Sequence, residues 1–156
     1  MSDAPDIPLS QLTRRELIGA AAGLAAASCT KAAKWETKKV ETNKGMVEID
    51  IADFPELGAA GGMVALHPVG VRKPVLVMRV ENDQFRVFSL SCTHIGCVLR
   101  WDDEMQDLVC PCHGSRFNDR GSPTKGPAKA NLKQYQSQFL GMTGAAGGTK
   151  LRFKVD

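Results

Sequence analysis

Cys92-Thr93-His94-Ile95-Gly96-Cys97 and Cys110-Pro111-Cys112-His113-Gly114-Ser115 decide how this chain is read. Together they hold four of its five cysteines and two of its three histidines. Cysteine and histidine at short spacing bind metals, pair as disulfides or carry thiol chemistry. Thiolate and imidazole ligands suit zinc, copper and iron–sulfur centres. A four-thiolate site would leave both histidines without a role. The set Cys92, His94, Cys110 and His113 fits a structural zinc ion. It equally fits a two-iron, two-sulfur centre with two thiolates on one iron and two imidazoles on the other. Residue types alone leave both open.

The flanking residues are more specific. The loops read C-T-H-x-G-C and C-P-C-H-G-S, and so resemble, residue for residue, the Rieske proteins of cytochrome bc-type complexes. The resemblance implies one 2Fe–2S cluster, with Cys92 and Cys110 on the buried iron and His94 and His113 on the outer iron. It also implies a Cys97–Cys112 disulfide between the loops. Ferredoxins and terminal oxygenases of ring-hydroxylating systems generally lack that additional pair. Exchanging two thiolates for neutral imidazoles removes negative charge from a cluster and raises its potential to about −150 to +300 mV. A ligating imidazole keeps a second ring nitrogen that can carry a proton.

Further positions carry over from the same resemblance. Ser115 matches a serine whose hydroxyl bonds a bridging sulfide. Phe117 stands where high-potential members have a tyrosine that bonds a cysteine sulfur, so a modest potential is expected, suited to menaquinol or another low-potential donor. Gly126-Pro127-Ala128 resembles the proline loop that covers the cluster, with Lys129 where many members have a second proline. Ile95, with Gly126 and Pro127, falls at the docking tip that would enter the quinol pocket of a cytochrome b subunit. The function implied is that of an electron-transfer subunit of a quinol:cytochrome c oxidoreductase, not catalytic alone. His113 and His94 would meet quinol, and a c-type cytochrome would take the electron. The alternatives are the Rieske relay subunit of another periplasmic oxidoreductase, of the arsenite oxidase type, or a stand-alone Rieske lipoprotein. A zinc-stabilised binding module is more remote.

The rest of the chain supplies the setting. Its 156 residues carry a net charge of only +3, which implies no nucleic-acid partner. In residues 1–29, Thr13-Arg14-Arg15-Glu16-Leu17-Ile18 precedes an apolar run to Ala27 and resembles a twin-arginine export signal. That places the protein at the bacterial cytoplasmic membrane, with the cluster domain on the periplasmic face. The run is short for a spanning helix, which needs about 20 apolar residues. Retention as an anchor, cleavage, or a lipid on Cys29 all remain open. Residues 30–44, with five lysines, read as a flexible polar linker.

From Gly45 the pattern alternates as strands do. Strands are expected over Met46–Ile51, Met63–His67, Val75–Val80, Phe85–Phe88, Val98–Trp101, Asp107–Val109, Leu132–Leu140 and Lys150–Val155. Two hairpins then deliver the two loops. The expected architecture is an all-β domain over 45–156, an antiparallel small-sheet sandwich whose cluster-binding part spans about 90–130. His67 is expected to be a hydrogen-bonded structural residue and Trp101 core. Asp102-Asp103-Glu104 is expected to be a solvated turn.

Overall fold

The structure, a computed structural model, describes residues 34–81, 83–143 and 148–156. The paired arginines and Cys29 lie outside the described residues. Twelve strands are present and no α-helix among the described residues, so the all-β expectation holds. They are β1 (Thr37–Val40), β2 (Met46–Asp50), β3 (Met63–Pro68), β4 (Val75–Glu81), β5 (Gln84–Ser89), β6 (Arg100–Asp102), β7 (Asp107–Val109), β8 (Arg116–Phe117), β9 (Pro123–Lys125), β10 (Gln134–Tyr135), β11 (Ser137–Thr143) and β12 (Gly148–Lys154). Two single 3-10 turns, Ile51–Asp53 and Pro55–Leu57, join β2 to β3.

Three sheets result, in the orders β1-β3-β4-β5-β10, β11-β12-β2 and β6-β7-β8-β9. The five-stranded sheet is the wall between two cores. Successive side chains on a strand point to opposite faces. On β4, Val75 and Val77 enter one core while Leu76 and Met78 enter the other. Val87 and Phe88 on β5 divide the same way. This explains why β4 reads as an unbroken apolar run rather than an alternating one. The first core lies against the β11-β12-β2 sheet and takes Val47, Ile49, Leu151 and Phe153. The second is shared with the β6–β9 lobe and takes Leu90, Leu99, Trp101, Leu108 and Phe117. That lobe carries both cysteine–histidine loops.

Four expectations are corrected. Residues 37–40 are not linker: Thr37 to Val40 pair with Ala65 to Pro68 as a parallel edge strand. Three of its four residues are exposed and two are lysines, so the strand has no apolar face to betray it. Charged, exposed residues of this kind also blunt a sheet edge. Second, Leu132–Leu140 is not one strand. It divides at Gln136 into β10, paired with β5, and β11, paired with β12. Tyr135 and the β11 strand thereby join two sheets across the first core. Third, Asp102 is not solvated. It is 3% exposed, while Asp103 and Glu104 are exposed as expected. The expected Val98–Trp101 strand also begins later, at Arg100, with Val98 making only a bridge to Ser91. His67 is as expected, half-buried, with its Nε2 hydrogen-bonded to the Val71 carbonyl at 3.0 Å. Trp101 is in the core.

Candidate metal centre

The two loops have the same backbone frame. In the first, the Cys92 amide donates to the Cys97 carbonyl at 2.9 Å and the Gly96 amide to the Cys92 carbonyl at 2.8 Å. In the second, the Cys110 amide donates to the Ser115 carbonyl at 2.8 Å and the Gly114 amide to the Cys110 carbonyl at 2.9 Å. Each turn closes through a glycine with positive φ, +77° at Gly96 and +71° at Gly114. Side chains other than glycine are strained there. The motif glycines are therefore backbone requirements, and the residues between cysteine and glycine are set free to present their side chains.

The β5 strand leads into the first loop, and the Ser91–Val98 bridge closes its neck. The β6–β7 hairpin then returns the chain to the second loop, which β8 leaves. Cys97 and Cys112 form a disulfide, with 6.5 Å between their Cα atoms. Cys92 and Cys110 are free thiols, 2% and 1% exposed. His94 and His113 are exposed, with their rings edge to face at 5.0 Å between centroids. Ile95 is 57% exposed at the tip of the first loop. Burial pushes the Cys110 thiol above its ordinary value, and the neighbouring Cys92 thiol adds to this. The backbone amides of Cys112 and His113 donate to the Cys110 sulfur and oppose the shift.

Around this frame lie the supports. Ser115 is fully buried, and its Oγ accepts the Ala128 amide at 3.0 Å. That contact uses a lone pair and leaves the hydroxyl proton free to be donated. Thr93 Oγ1 donates to the Ala130 carbonyl at 2.8 Å. The stretch holding Gly126, Pro127 and Ala128 is thus tied to both loops. Phe117 is fully buried in the same core as Cys92 and Cys110, and it brings no hydroxyl to them.

Sequence reasoning missed one component. Arg116, the residue after Ser115, donates from Nε to Asp107 Oδ2 at 2.7 Å, and from one terminal nitrogen to Asp107 Oδ1 and Asp102 Oδ2, each at 2.6 Å. Asp102 Oδ1 also accepts the amides of Glu104 and Met105 at 3.2 Å. The clamp locks β6, β7 and β8 beneath the second loop. Hydrogen bonding to Arg116 holds the Asp102 carboxyl below the usual carboxylate range, against the opposing effect of burial. The same two carboxylates raise the Arg116 guanidinium well above its ordinary value. The alternating apolar pattern of a hairpin gives no signal for this; only the carboxylates on facing strands, Asp102 opposite Asp107, could have suggested it.

Which group do these donors fit? Four ligands about 2.0–2.3 Å from one ion would crowd to within about 4 Å of one another. Among the described residues, the one group of three or more ligand atoms within 4.8 Å is Cys97, Cys110 and Cys112, and two of these are the disulfide pair. The set Cys92, His94, Cys110 and His113 is not gathered within that distance. Buried thiols on one side and paired exposed imidazoles on the other suit a binuclear group lying between them.

Residues 48–136 match the family described as Rieske [2Fe-2S] domain. The chain belongs to the Rieske family. Its relatives include the cytochrome b6-f complex iron-sulfur subunit of Prochlorococcus marinus strain NATL1A, 33% identical over 90 residues, 49% of this chain and 51% of that protein. The subunit of the same name from strain MIT 9303 is 27% identical over 141 residues, covering 84% of this chain and 79% of the relative. The chloroplastic subunit of Fritillaria agrestis is 38% identical over 66 residues, 40% of this chain and 29% of the relative. The chain spans about half the length of the Prochlorococcus relatives that it matches over 81 to 90 residues. Among solved structures, the cyanobacterial plasma membrane Rieske protein PetC3 from Synechocystis PCC 6803 aligns with a TM-score of 0.42 and 27% identity, over 69% of this chain and 86% of that one. As a Rieske domain, the chain carries one 2Fe–2S cluster, and it has the family's cross-linking disulfide.

Proposed function

We propose that this Rieske protein is the electron-transfer subunit of a quinol-oxidising complex, and that it receives an electron from quinol and hands it to a c-type cytochrome. The observation that carries the reading is the pairing of two exposed imidazoles with two buried thiols at one end of the lobe. Cys92 and Cys110 would hold the inner iron, and His94 and His113 the outer one. When bound, the cluster supplies a one-electron acceptor at a potential above that of plant-type ferredoxins.

The chain's own residues supply the rest. Each imidazole keeps one ring nitrogen that does not bind metal, and both rings face outward. That nitrogen, foremost on His113, accepts a hydrogen bond from the quinol hydroxyl and then its proton. Quinol oxidation releases both particles, so one end of one lobe serves both. Ile95 presents an apolar contact beside His94 and excludes water from the encounter. Ser115 donates its free hydroxyl proton toward the sulfur shell, which stabilises the reduced form and raises the potential. Phe117 gives no such bond, so the potential is modest and a low-potential quinol such as menaquinol is the fitting donor.

The partners proposed are a cytochrome b subunit and the acceptor cytochrome. No helix among the described residues is long and apolar enough to cross a membrane. Export by the twin-arginine route and a periplasmic position at the cytoplasmic membrane, held through residues 1–29 or a lipid on Cys29, remain part of the proposal. Purifying the full chain from solubilised membranes tests it. Co-purification of b-type haem, and reduction of the cluster by menaquinol, are expected. Co-purification with a molybdenum subunit and no b-type haem would overturn it.

A further inference from the structure

The charge around the two loops is one-sided. Residues 89–101, 110–118 and 121–135 build the loop-bearing end, and none of them contains an aspartate or glutamate. The chain as a whole is nearly balanced, with 20 basic residues against 17 acidic. The lobe's carboxylates lie outside these stretches, at Asp102, Asp103, Glu104, Asp107 and Asp119, and three of them are paired, Asp102 and Asp107 with Arg116 and Asp119 with Arg86.

Cations flank both loops. Lys129 lies across the junction: its neighbour Ala128 is bonded to Ser115 of the second loop, and its other neighbour Ala130 to Thr93 of the first. Its side chain is exposed. Lys125, also exposed, stands opposite Arg116 on the β8–β9 pair. Exposed Arg100 and Lys34 line a cleft of about 460 Å³ with Cys97, Pro111 and Cys112. Arg72 and Lys73 line a cleft of about 340 Å³ with Cys92 and Thr93. The carboxylate in that cleft, Asp156, is held by Lys133 at 2.7 Å. At the centre stands Ile95. An apolar centre with a charged rim is how transient protein interfaces are built.

We infer that the loop-bearing end is a cationic docking face for a redox protein whose electron-accepting edge is ringed by carboxylates. The inference rests on the proposed electron-transfer reading and names the chemistry of its acceptor. A one-sign surface at the point of transfer steers an oppositely charged partner and raises its association rate, an effect that salt removes.

The test uses the reduced full-length holoprotein and two inorganic oxidants of opposite charge, hexacyanoferrate(III) and tris(phenanthroline)cobalt(III). One electron leaves the protein and yields hexacyanoferrate(II) or the cobalt(II) complex, with no bond made or broken. Raising ionic strength from about 0.01 M to about 1 M shortens the screening length from about 30 Å to about 3 Å. It should slow the anionic oxidant by about tenfold and speed the cationic one. Lys125→Glu with Lys129→Glu should reverse the sign of both responses. Lys44→Glu with Lys154→Glu, the same change in net charge placed on the β2–β12 side, should leave them nearly intact.

A redox-inert anion gives an independent reading. Hexacyanocobaltate(III) should shift the amide signals of Arg72, Arg100 and Lys125, and the Lys125/Lys129 variant should abolish the shifts. Equal salt responses in the two double variants would show only net charge and overturn the inference. So would binding to phosphatidylglycerol vesicles combined with salt-insensitive oxidation, which would assign the face to a lipid surface. A colourless, iron-free protein would defeat the electron-transfer reading instead, while hexacyanocobaltate binding would still report the charged face.

Discussion

The two loops share one backbone and divide the work. Each runs from a buried cysteine through an exposed histidine to a glycine of positive φ, and each closes with the same pair of amide–carbonyl bonds. Their side chains diverge. The first loop turns Ile95 and Thr93 outward, Ile95 being 57% exposed. The second turns Ser115 inward and is followed directly by Arg116 and Phe117, which lock it to the lobe. The frame gives each loop a buried thiol and an exposed imidazole. The residues inserted in it decide whether a loop faces solvent or the core of the lobe.

The largest effect should come from uncoupling the loops. The disulfide closes a separation of 15 residues. Replacing Cys97 and Cys112 with serine should cost the metal-free domain about 3 kcal/mol, read by denaturant unfolding. A loss near zero would mean that the β6–β7 hairpin alone holds the loops together.

Next is the clamp beneath the second loop. Arg116→Met leaves buried Asp102 and half-buried Asp107 without their cation, which is costly. Tm should fall by more than about 5 °C, and the second loop should lose ligand affinity before the first. The clamp also sets a pH dependence. Because the folded Asp102 has a depressed pKa, its stabilisation is complete above the usual aspartate value of about 4 and fades as pH falls through the lower folded value. The stability gap between wild type and Asp102→Asn should therefore shrink below about pH 4. A gap independent of pH would remove the ion pair from the account.

Phe117→Tyr sharpens the contrast at the tuning loop. One added hydrogen bond to the sulfur shell, worth about 1 kcal/mol, raises a one-electron potential by about 40 mV. An unchanged potential in a redox titration would show that residue 117 does not tune the centre. The smallest intrinsic effect is expected at the docking loop. Ile95→Ser should leave Tm and potential unchanged and slow only the reactions with partners, reduction by quinol and oxidation by the acceptor. A shifted potential would make Ile95 part of the centre's environment rather than a contact for partners.

Much of this was legible beforehand. The resemblance of the two motifs to the Rieske family implied the donor set, and the positive φ at Gly96 and Gly114 gives the backbone reason for the motif glycines. The strands from Met46 to Phe88 were readable from alternation and apolar runs. What escaped reading lacked an apolar signature. β1 is an exposed edge strand whose pairing with β3 is parallel and non-local. The division at Gln136 depends on two sheets competing for one extended segment. Asp102 looks like any turn residue until the facing strand brings Asp107 and the loop exit brings Arg116.

The most direct test of the central claim is iron and sulfide analysis of the purified full chain, joined to electron–nuclear double resonance of its reduced state. The account predicts a 2Fe–2S stoichiometry and couplings to two histidine nitrogens, with one lost in each of His94→Cys and His113→Cys. Stoichiometric zinc, or a cluster spectrum without nitrogen coupling, would contradict it.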